Sequence, residues 1–190
     1  MKLLTDIRNC TICNAHLPNP AKPILQASAS SKILIIGQAP GQKAHTSGIP
    51  WSDPSGDRLR LWLGVDKETF YDPAIFALMP MGFCYPGKDK GGDAAPRPEC
   101  APKWHSLLLA KIPDIRITLL IGQYSQRYYL KENIKGTLTD TVKAYHEYLP
   151  NYLPTPHPSP RNVAWFKANP WFEKDVLKIL RSEVKQAMAK

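Results

Sequence analysis

"KILIIGQAPGQKAHTSGIPW", residues 32–51, contains the strongest structural signal in this 190-residue chain. Four consecutive large apolar residues, Ile33 to Ile36, run directly into the turn Gly37-Gln38-Ala39-Pro40-Gly41. A continuous apolar run is typical of a parallel strand that is covered on both faces. The glycines and the proline end that strand abruptly. We therefore expect this turn to carry functional groups at the end of a sheet.

Three further segments predict strands of the same sheet: residues 74–80, 116–122 and 152–156. The segment 116–122 repeats the apolar run and the Ile-Gly-Gln ending, so it is predicted to lie beside the first strand and to end at the same edge. Helical patterns fall between and after the strands, at residues 55–64, 101–112, 124–133, 139–149 and 169–190. This alternation predicts a single α/β domain over residues 1–190, a three-layer αβα sandwich with a small, mostly parallel central sheet.

Two Pro-containing turns are predicted to meet at one edge of this sheet. Gly37-Gln38-Ala39-Pro40 and His157-Pro158-Ser159-Pro160 each follow a predicted strand directly. Ligands of parallel sheets bind beyond the carboxyl ends of the strands. The sequence therefore predicts a ligand site between the two turns.

The charge balance favours a polyanionic partner, since 25 Lys and Arg against 16 Asp and Glu give a formal net charge of +9. No apolar run approaches the roughly 18–20 residues that cross a bilayer. The N-terminal segment is interrupted by Asp6 and Arg8, which is not typical of a signal peptide. We expect a cytoplasmic protein with no membrane association.

The four cysteines form two pairs, Cys10 with Cys13 and Cys84 with Cys100. Cytosolic proteins rarely keep structural disulfides, so the C-x2-C pair favours a metal site. The polar loop of fifteen residues between Cys84 and Cys100 can arch over a bound group while both thiolates return to it. Four sulfur ligands suit zinc or a [4Fe–4S] cluster, and both remain open, as does the alternative of four unrelated thiols.

These motifs resemble the uracil-DNA glycosylase superfamily, and within it most closely the family 4 type, its iron–sulfur bacterial and archaeal branch. The resemblance spans nearly the whole chain and rests on four elements in family order: Gly37-Gln38-Ala39-Pro40-Gly41, Gly48-Ile49-Pro50-Trp51, the cysteine quartet and His157-Pro158-Ser159-Pro160. It implies a monomer that flips a damaged base out of DNA and hydrolyses its N-glycosidic bond. It also implies that the cysteines hold a structural [4Fe–4S] cluster, with zinc as the alternative.

The resemblance assigns roles to residues at both turns. His157 matches the family histidine, and a neutral histidine that donates to the departing base stabilises its developing charge. Trp51 stands where relatives stack an aromatic ring on the flipped base. The base pocket also includes Gly37, Ala39 and Pro40. The alternatives are a histidine that caps a turn and a tryptophan that belongs to the core.

The residues after the second turn resemble the loop that probes the minor groove of DNA. Ser159, Arg161 and Asn162 are the residues of this loop, and Arg161 is placed to contact a phosphate. The alternative for Arg161 is an ordinary exposed arginine.

Three positions depart from the family pattern in ways that weaken the case for uracil. Ala39 replaces the water-activating Asp of the best-known relatives, and Gln38 replaces the Glu of family 4. Pro80 stands where relatives carry an Asn that reads the uracil edge. Gln38 can position water through its amide but cannot accept a proton, so Gln38→Glu is expected to raise uracil cleavage if the pocket still admits uracil.

The first acidic residue after Asp6 is Asp53, which is therefore the best available partner for the sugar cation or the water. Asp57 is a further candidate, and for each of these acids the alternative is a helix-start acid.

The leading hypothesis is a glycosylase that removes uracil or another damaged base. Its alternative is a catalytically weak family member that binds DNA or a flipped base without cleavage. A nucleotide-binding Rossmann enzyme is disfavoured because "GQAPGQ" lacks the G-x-G-x-x-G spacing.

Overall fold

The computed structural model describes residues 2–189, so Met1 and Lys190, the ends of the predicted domain, lie outside the described residues. Within this range the strands are β1 (Ile33–Ile36), β2 (Phe76–Leu78), β3 (Lys88–Asp89), β4 (Gly92–Asp93), β5 (Ile117–Ile121) and β6 (Tyr152–Thr155). The α-helices are α1 (Lys2–Arg8), α2 (Gln42–Ser47), α3 (Pro54–Leu63), α4 (Lys67–Tyr71), α5 (Ser106–Leu109), α6 (Gln123–Leu130), α7 (Leu138–Lys143), α8 (Val163–Ala168) and α9 (Leu177–Ala189).

Short helical turns extend several of these helices. The π-helical segments Ala101–His105 and Phe172–Val176 lead directly into α5 and α9. None of the helices described between residues 2 and 189 has the length and apolar character that crossing a membrane requires.

The central sheet has the strand order β2-β1-β5-β6, and every pair in it is parallel. All four predicted strands are present. The predicted neighbours β1 and β5 pair directly, with Ile33 opposite Ile117 and Ile36 opposite Leu120. Since the strands all run in one direction, their carboxyl ends meet at one edge, as the sequence predicted.

Helices cover both faces of this sheet. Ile33 and Ile35 of β1 belong to one core with residues of α3 and α9, while Leu34 and Ile36 belong to a second core with residues of α1 and α5. Side chains alternate between the two faces of a strand, so a continuous apolar run supplies both cores. Each fully buried Ile contributes about 1.5–3 kcal/mol. The predicted three-layer αβα sandwich is confirmed.

Helix α3 begins one residue before its predicted start. Asp53 is its N-cap, and the Oδ1 of Asp53 accepts a hydrogen bond from the backbone N–H of Gly56 at 2.9 Å. The helix ends before Gly64, whose φ of 70° lies in the left-handed region that glycine favours. The helix-start interpretation of Asp53 is therefore confirmed.

Helical spacing in the segment 169–190 predicts an apolar stripe of Val176, Leu177, Leu180, Val184 and Met188. The first four of these residues are buried as expected, but Met188 is 38% exposed. The buried position is Ala187, because the stripe continues three residues after Val184 rather than four.

The buried His105 contacts the segment that follows β2. The Nε2 of His105 is 3.2 Å from the carbonyl oxygen of Pro80, and its Nδ1 is 2.7 Å from the hydroxyl of Tyr129. A carbonyl oxygen only accepts, so Nε2 carries the proton and Nδ1 accepts from Tyr129. Burial lowers the pKa of His105 to about 4, although the bond to Pro80 partly opposes this change. The imidazole is therefore neutral.

We predict that this histidine makes the domain sensitive to acid. An unfolded histidine takes up a proton near pH 6.5, whereas His105 does so only near pH 4. The unfolded state is thus favoured progressively as the pH falls from about 6.5 to about 4, by about 3 kcal/mol in all. His105→Gln should lose correspondingly less unfolding free energy than the wild type over this range, measured by urea unfolding and circular dichroism.

The matched control is His146→Gln, since His146 is exposed. This control should retain the wild-type dependence on pH. If His105→Gln and the wild type lose equal stability in acid, His105 does not determine the acid sensitivity.

Candidate active site

A cleft of about 710 Å³ opens at the carboxyl edge of the sheet. The turn 37–41 after β1, Trp51, the β3–β4 hairpin and the turn after β6 that carries His157 form its walls. A smaller cavity of about 290 Å³ is also lined by Gln38 and His157. The two turns that the sequence predicted to converge therefore lie in one site.

Trp51 and His157 form a continuous aromatic surface in this cleft. Their rings stack with centroids 5.6 Å apart and an interplanar angle of 26°. The Trp51 ring also lies against Gly37, where an added Cβ would stand only 2.7 Å from the ring atom Cζ2. Trp51 is partly buried and packs against one core, so it combines a core contact with a place in the cleft.

The backbone of Trp51 has a φ of 57°, a left-handed conformation that bulky residues rarely adopt. Neighbouring groups hold it there. The Trp51 carbonyl accepts a hydrogen bond from the Nη1 of Arg60 at 3.4 Å, and the hydroxyl of Tyr71 donates to the preceding Pro50 carbonyl at 2.8 Å. Backbone strain of this kind persists only where the surroundings impose it, and it is frequent at functional sites.

His157 is electrically neutral near pH 7. Burial lowers the pKa of its imidazole, and the nearby Asp53 carboxylate raises that pKa in part. The Nδ2 of Asn162 donates to the His157 carbonyl at 2.8 Å and so stabilises the turn. A neutral imidazole held in this way can donate a hydrogen bond to an anion that develops during a reaction.

Gln38 lies in the cleft, but its amide nitrogen already has a partner. Its Nε2 donates to the carbonyl of Ala94 at 3.0 Å, and its backbone carbonyl accepts from the N–H of Gly82 at 3.0 Å. A Glu at position 38 would place a carboxylate against the Ala94 carbonyl oxygen, so Ala94 would have to move before that carboxylate acted as a base. Ala39 and Pro40 line the cleft beside Gln38.

Asp53 lines the same cleft. While its Oδ1 caps α3, its Oδ2 lies 4.0 Å from the position that a Cβ on Gly41 would occupy. Asp57 is exposed and forms an ion pair with Arg60. Of the two acids that the sequence proposed, Asp53 is the one in the cleft.

The loop after β6 forms the rim of the cleft. The Nη1 of Arg161 donates to the Gly91 carbonyl at 3.0 Å, which joins this loop to the β3–β4 hairpin. The Oγ of Ser159 accepts from the N–H of Arg161 at 3.2 Å, and the Ser159 carbonyl accepts from the Nη1 of Arg58 at 3.1 Å. Arg161 is exposed and has further N–H donors for a ligand.

Sequence reasoning missed two charged residues of the site, Lys88 and Asp93 on the β3–β4 hairpin. Partial loss of hydration raises the pKa of Asp93, Asp53 raises it further, and the cations of Arg161 and Lys88 oppose this rise. The pair Gly91-Gly92 is a hairpin signal, but it does not indicate where the hairpin folds. The sequence predicted that the loop between Cys84 and Cys100 arches over a group bound by the cysteines, whereas the tip of this loop lies on the cleft.

The four cysteines are free thiols within electrostatic reach of one another. Burial raises the pKa of Cys84 to about 12 and that of Cys100 to about 11, and the thiols of Cys10 and Cys13 add to both effects. Four such thiols would be stabilised as thiolates by a multivalent cation. Among residues 2–189, however, no three Cys, His, Asp or Glu side chains are placed to hold a metal ion.

The parallel sheet, its covering helices and the cleft across its strand ends define an α/β domain of the kind that binds ligands at the carboxyl edge of the sheet. The family model of the uracil DNA glycosylase superfamily matches residues 26–181, which include all four strands of the central sheet, both turns at its edge and the β3–β4 hairpin. The chain belongs to the uracil DNA glycosylase superfamily. Cys10 and Cys13 lie before the matched region.

The chain is also similar to a solution NMR structure from Methanosarcina acetivorans, a protein provisionally called a uracil DNA glycosylase. The two sequences are 14% identical, and the match covers 85% of this chain and 98% of the other, with a TM-score of 0.49.

We predict that Gly56→Ala destabilises the domain by about 3 kcal/mol. An added Cβ would stand 1.8 Å from the Trp51 carbonyl oxygen, so either α3 or Trp51 must move. This clash outweighs the gain of about 1 kcal/mol that Ala brings to a helix. Chemical denaturation of the variant measures the loss.

The matched control is Gly136→Ala, because a Cβ at Gly136 meets no atom of the described residues within 4 Å. Its stability should remain near that of the wild type. Equal stability of both variants would mean that the tight approach of α3 to Trp51 does not constrain the fold.

Proposed function

We propose that this chain is a DNA glycosylase of the iron–sulfur type, similar to family 4, that flips a damaged base into the cleft and hydrolyses its N-glycosidic bond. The observation that carries the proposal is the neutral His157 stacked on Trp51 at the carboxyl edge of the sheet. We further propose that it acts as a cytoplasmic monomer on DNA.

The cleft residues supply the two interactions that this reaction needs. As the C1′–N bond breaks, its electron pair moves to the base, and His157 donates a hydrogen bond to the base oxygen on which charge develops. Asp53 stabilises the positive charge on the sugar, since its carboxylate lines the same cleft. Trp51 offers an apolar face to the flipped base, and stacking on such a face accepts many bases.

The preference for uracil is expected to be weak. Pro80 has no side-chain amide, and its carbonyl oxygen accepts from the Nε2 of His105. The edge of the base at this position therefore meets an apolar ring rather than a donor and acceptor pair. We propose that the substrate is uracil or, with better fit, another damaged base.

Charge supports DNA as the partner. The net charge of +9 attracts the phosphate backbone, and Arg161 and Lys88 both line the cleft.

The second candidate function is binding of DNA or a flipped base without cleavage. It is favoured by Gln38, whose side-chain amide already donates to the Ala94 carbonyl and is a poor base.

We predict that His157→Ala lowers the rate of base release by roughly 10²–10³, the loss expected for one preorganised donor to a developing anion. The wild type is first tested on single- and double-stranded oligonucleotides that carry uracil, hypoxanthine, xanthine or oxidised bases. Alkaline cleavage of the abasic product measures the rate. DNA binding by His157→Ala should stay close to that of the wild type.

His146→Ala serves as the control, because His146 is exposed and does not line either cavity at the sheet edge. A wild type that binds DNA but releases none of these bases would replace the glycosylase proposal with the binding function. A wild type that does not bind DNA at low salt would reject both.

We also propose that Cys10, Cys13, Cys84 and Cys100 hold the [4Fe–4S] cluster, with zinc as the alternative. The four buried or partly buried thiols support this donor set. A cluster is wider than a single ion, so its ligands need not converge on one point. Its role here would be structural: it would hold the segment after α1 against both ends of the loop between Cys84 and Cys100.

We predict that protein purified without oxygen is brown and that Cys84→Ser loses the iron and part of its stability, because metal-binding energy is folding energy. Absorbance spectra, iron and zinc analysis and thermal unfolding measure these effects. Colourless protein with one zinc would retain the site and reject the cluster, while metal-free protein with four reactive thiols would reject both.

A further inference from the structure

Two carboxylates reach one point of the cleft from different elements, although the turn after β1 has no acidic residue. The Oδ2 of Asp93 lies 3.3 Å, and the Oδ2 of Asp53 lies 4.0 Å, from the position that a Cβ on Gly41 would occupy. Both residues line the cleft together with His157. A pair of acids therefore flanks Gly41 in the cavity that contains the candidate catalytic histidine.

The histidine in this cavity has no side-chain partner in the part of the chain that the structure describes, since the bond to Asn162 uses its backbone carbonyl. Polar groups that lose much of their water are normally hydrogen-bonded. His157 is half-buried, and its imidazole, which lies near the Asp53 carboxylate and stacks on Trp51, is available to hydrogen-bond a polar ligand in the cleft.

We propose that Asp93 is the general base that activates the attacking water, a role that rests on the glycosylase function proposed above. In this step Asp93 accepts a proton from water, and the water oxygen forms a bond to C1′ of the sugar. The C1′–N bond breaks, and its electron pair leaves with the base, which then takes a proton from solvent. The products are an abasic sugar and the free base, with no oxidant or reductant required.

The two carboxylates are suited to different roles. Asp53 is fixed by its bond to the N–H of Gly56 at the start of α3, so it presents a stationary charge to the sugar. Asp93 is exposed at the end of β4 and is open to water in the cleft. Partial loss of hydration raises the pKa of Asp93, so its carboxylate is a better proton acceptor than an ordinary aspartate.

The hairpin that carries Asp93 is held over the cleft at two points, since Gln38 donates to the Ala94 carbonyl and Arg161 donates to the Gly91 carbonyl. Within the hairpin, β3 and β4 pair with Lys88 opposite Asp93. Gln38 therefore acts as a positioning residue for the hairpin, since its hydrogen bond is made to the residue next to Asp93.

The test compares Asp93→Asn with Asp89→Asn in single-turnover base release, with the enzyme in saturating excess over the lesion. Both changes remove one negative charge from the same hairpin, but Asp89 lies outside the cleft lining and bonds to the N–H of Lys90. We expect Asp93→Asn to lower the rate by roughly 10²–10⁴. Asp89→Asn should remain within about threefold of the wild type, as expected for a surface change.

A rescue experiment separates catalysis from structure. Asp93→Ala leaves space for a small carboxylate, so added formate should restore part of the lost rate, whereas it should not change the rate of the wild type. Circular dichroism and DNA affinity should match the wild type for every variant. If Asp93→Ala is slow and formate does not restore it, Asp93 has a structural role and the proposal is rejected.

Two further outcomes distinguish this proposal from the glycosylase function. If the wild type releases a base and Asp93→Asn is as fast as Asp89→Asn, Asp93 is not the base, and the glycosylase function stands. If the wild type binds DNA and releases no base from any lesion, both proposals are rejected together.

Discussion

The packing of Trp51 against two glycines is the constraint on which the whole site depends. Gly37 follows β1 and lies against the Trp51 ring atoms Cζ2 and Cη2, and Gly56 in the first turn of α3 lies against the Trp51 carbonyl. A strand end, a helix start and a strained tryptophan are thereby fixed together. The ring of His157 completes this arrangement by stacking on Trp51. Small residues are required at both glycine positions because the neighbouring atoms occupy the space of a Cβ.

The sheet could be predicted from the sequence because its signals are local. The apolar runs that become β1 and β5 supply both cores at once, and a glycine follows each of them directly. The same local chemistry places Asp53 at the start of α3, where a short carboxylate can accept from the N–H three residues later. Patterns of this kind depend on neighbours within a few residues, so they can be recognised in the sequence without knowledge of the fold.

The hairpin and its aspartate could not be predicted, because distant contacts determine their place. The bond from Gln38 to Ala94 spans 56 residues, and the bond from Arg161 to Gly91 spans 70. Neither partner in these bonds contributes a side-chain acceptor that a sequence motif could reveal, since both accept through backbone carbonyls. The position of Asp93 in the cleft therefore becomes apparent only once the two turns are brought together at the sheet edge.

The loop between Cys84 and Cys100 connects the four cysteines to the cleft, two sites that no sequence motif links. Its ends lie among the buried thiols, while its tip, the β3–β4 hairpin, brings Asp93 to the cleft. Any group that holds the thiols would fix both ends of this loop and so reduce the freedom of the hairpin. The bond from Gln38 to Ala94 restrains the same loop from the other side. The turn after β1 contains no acidic residue, but the amide of Gln38 in this turn holds the loop that carries the Asp93 carboxylate.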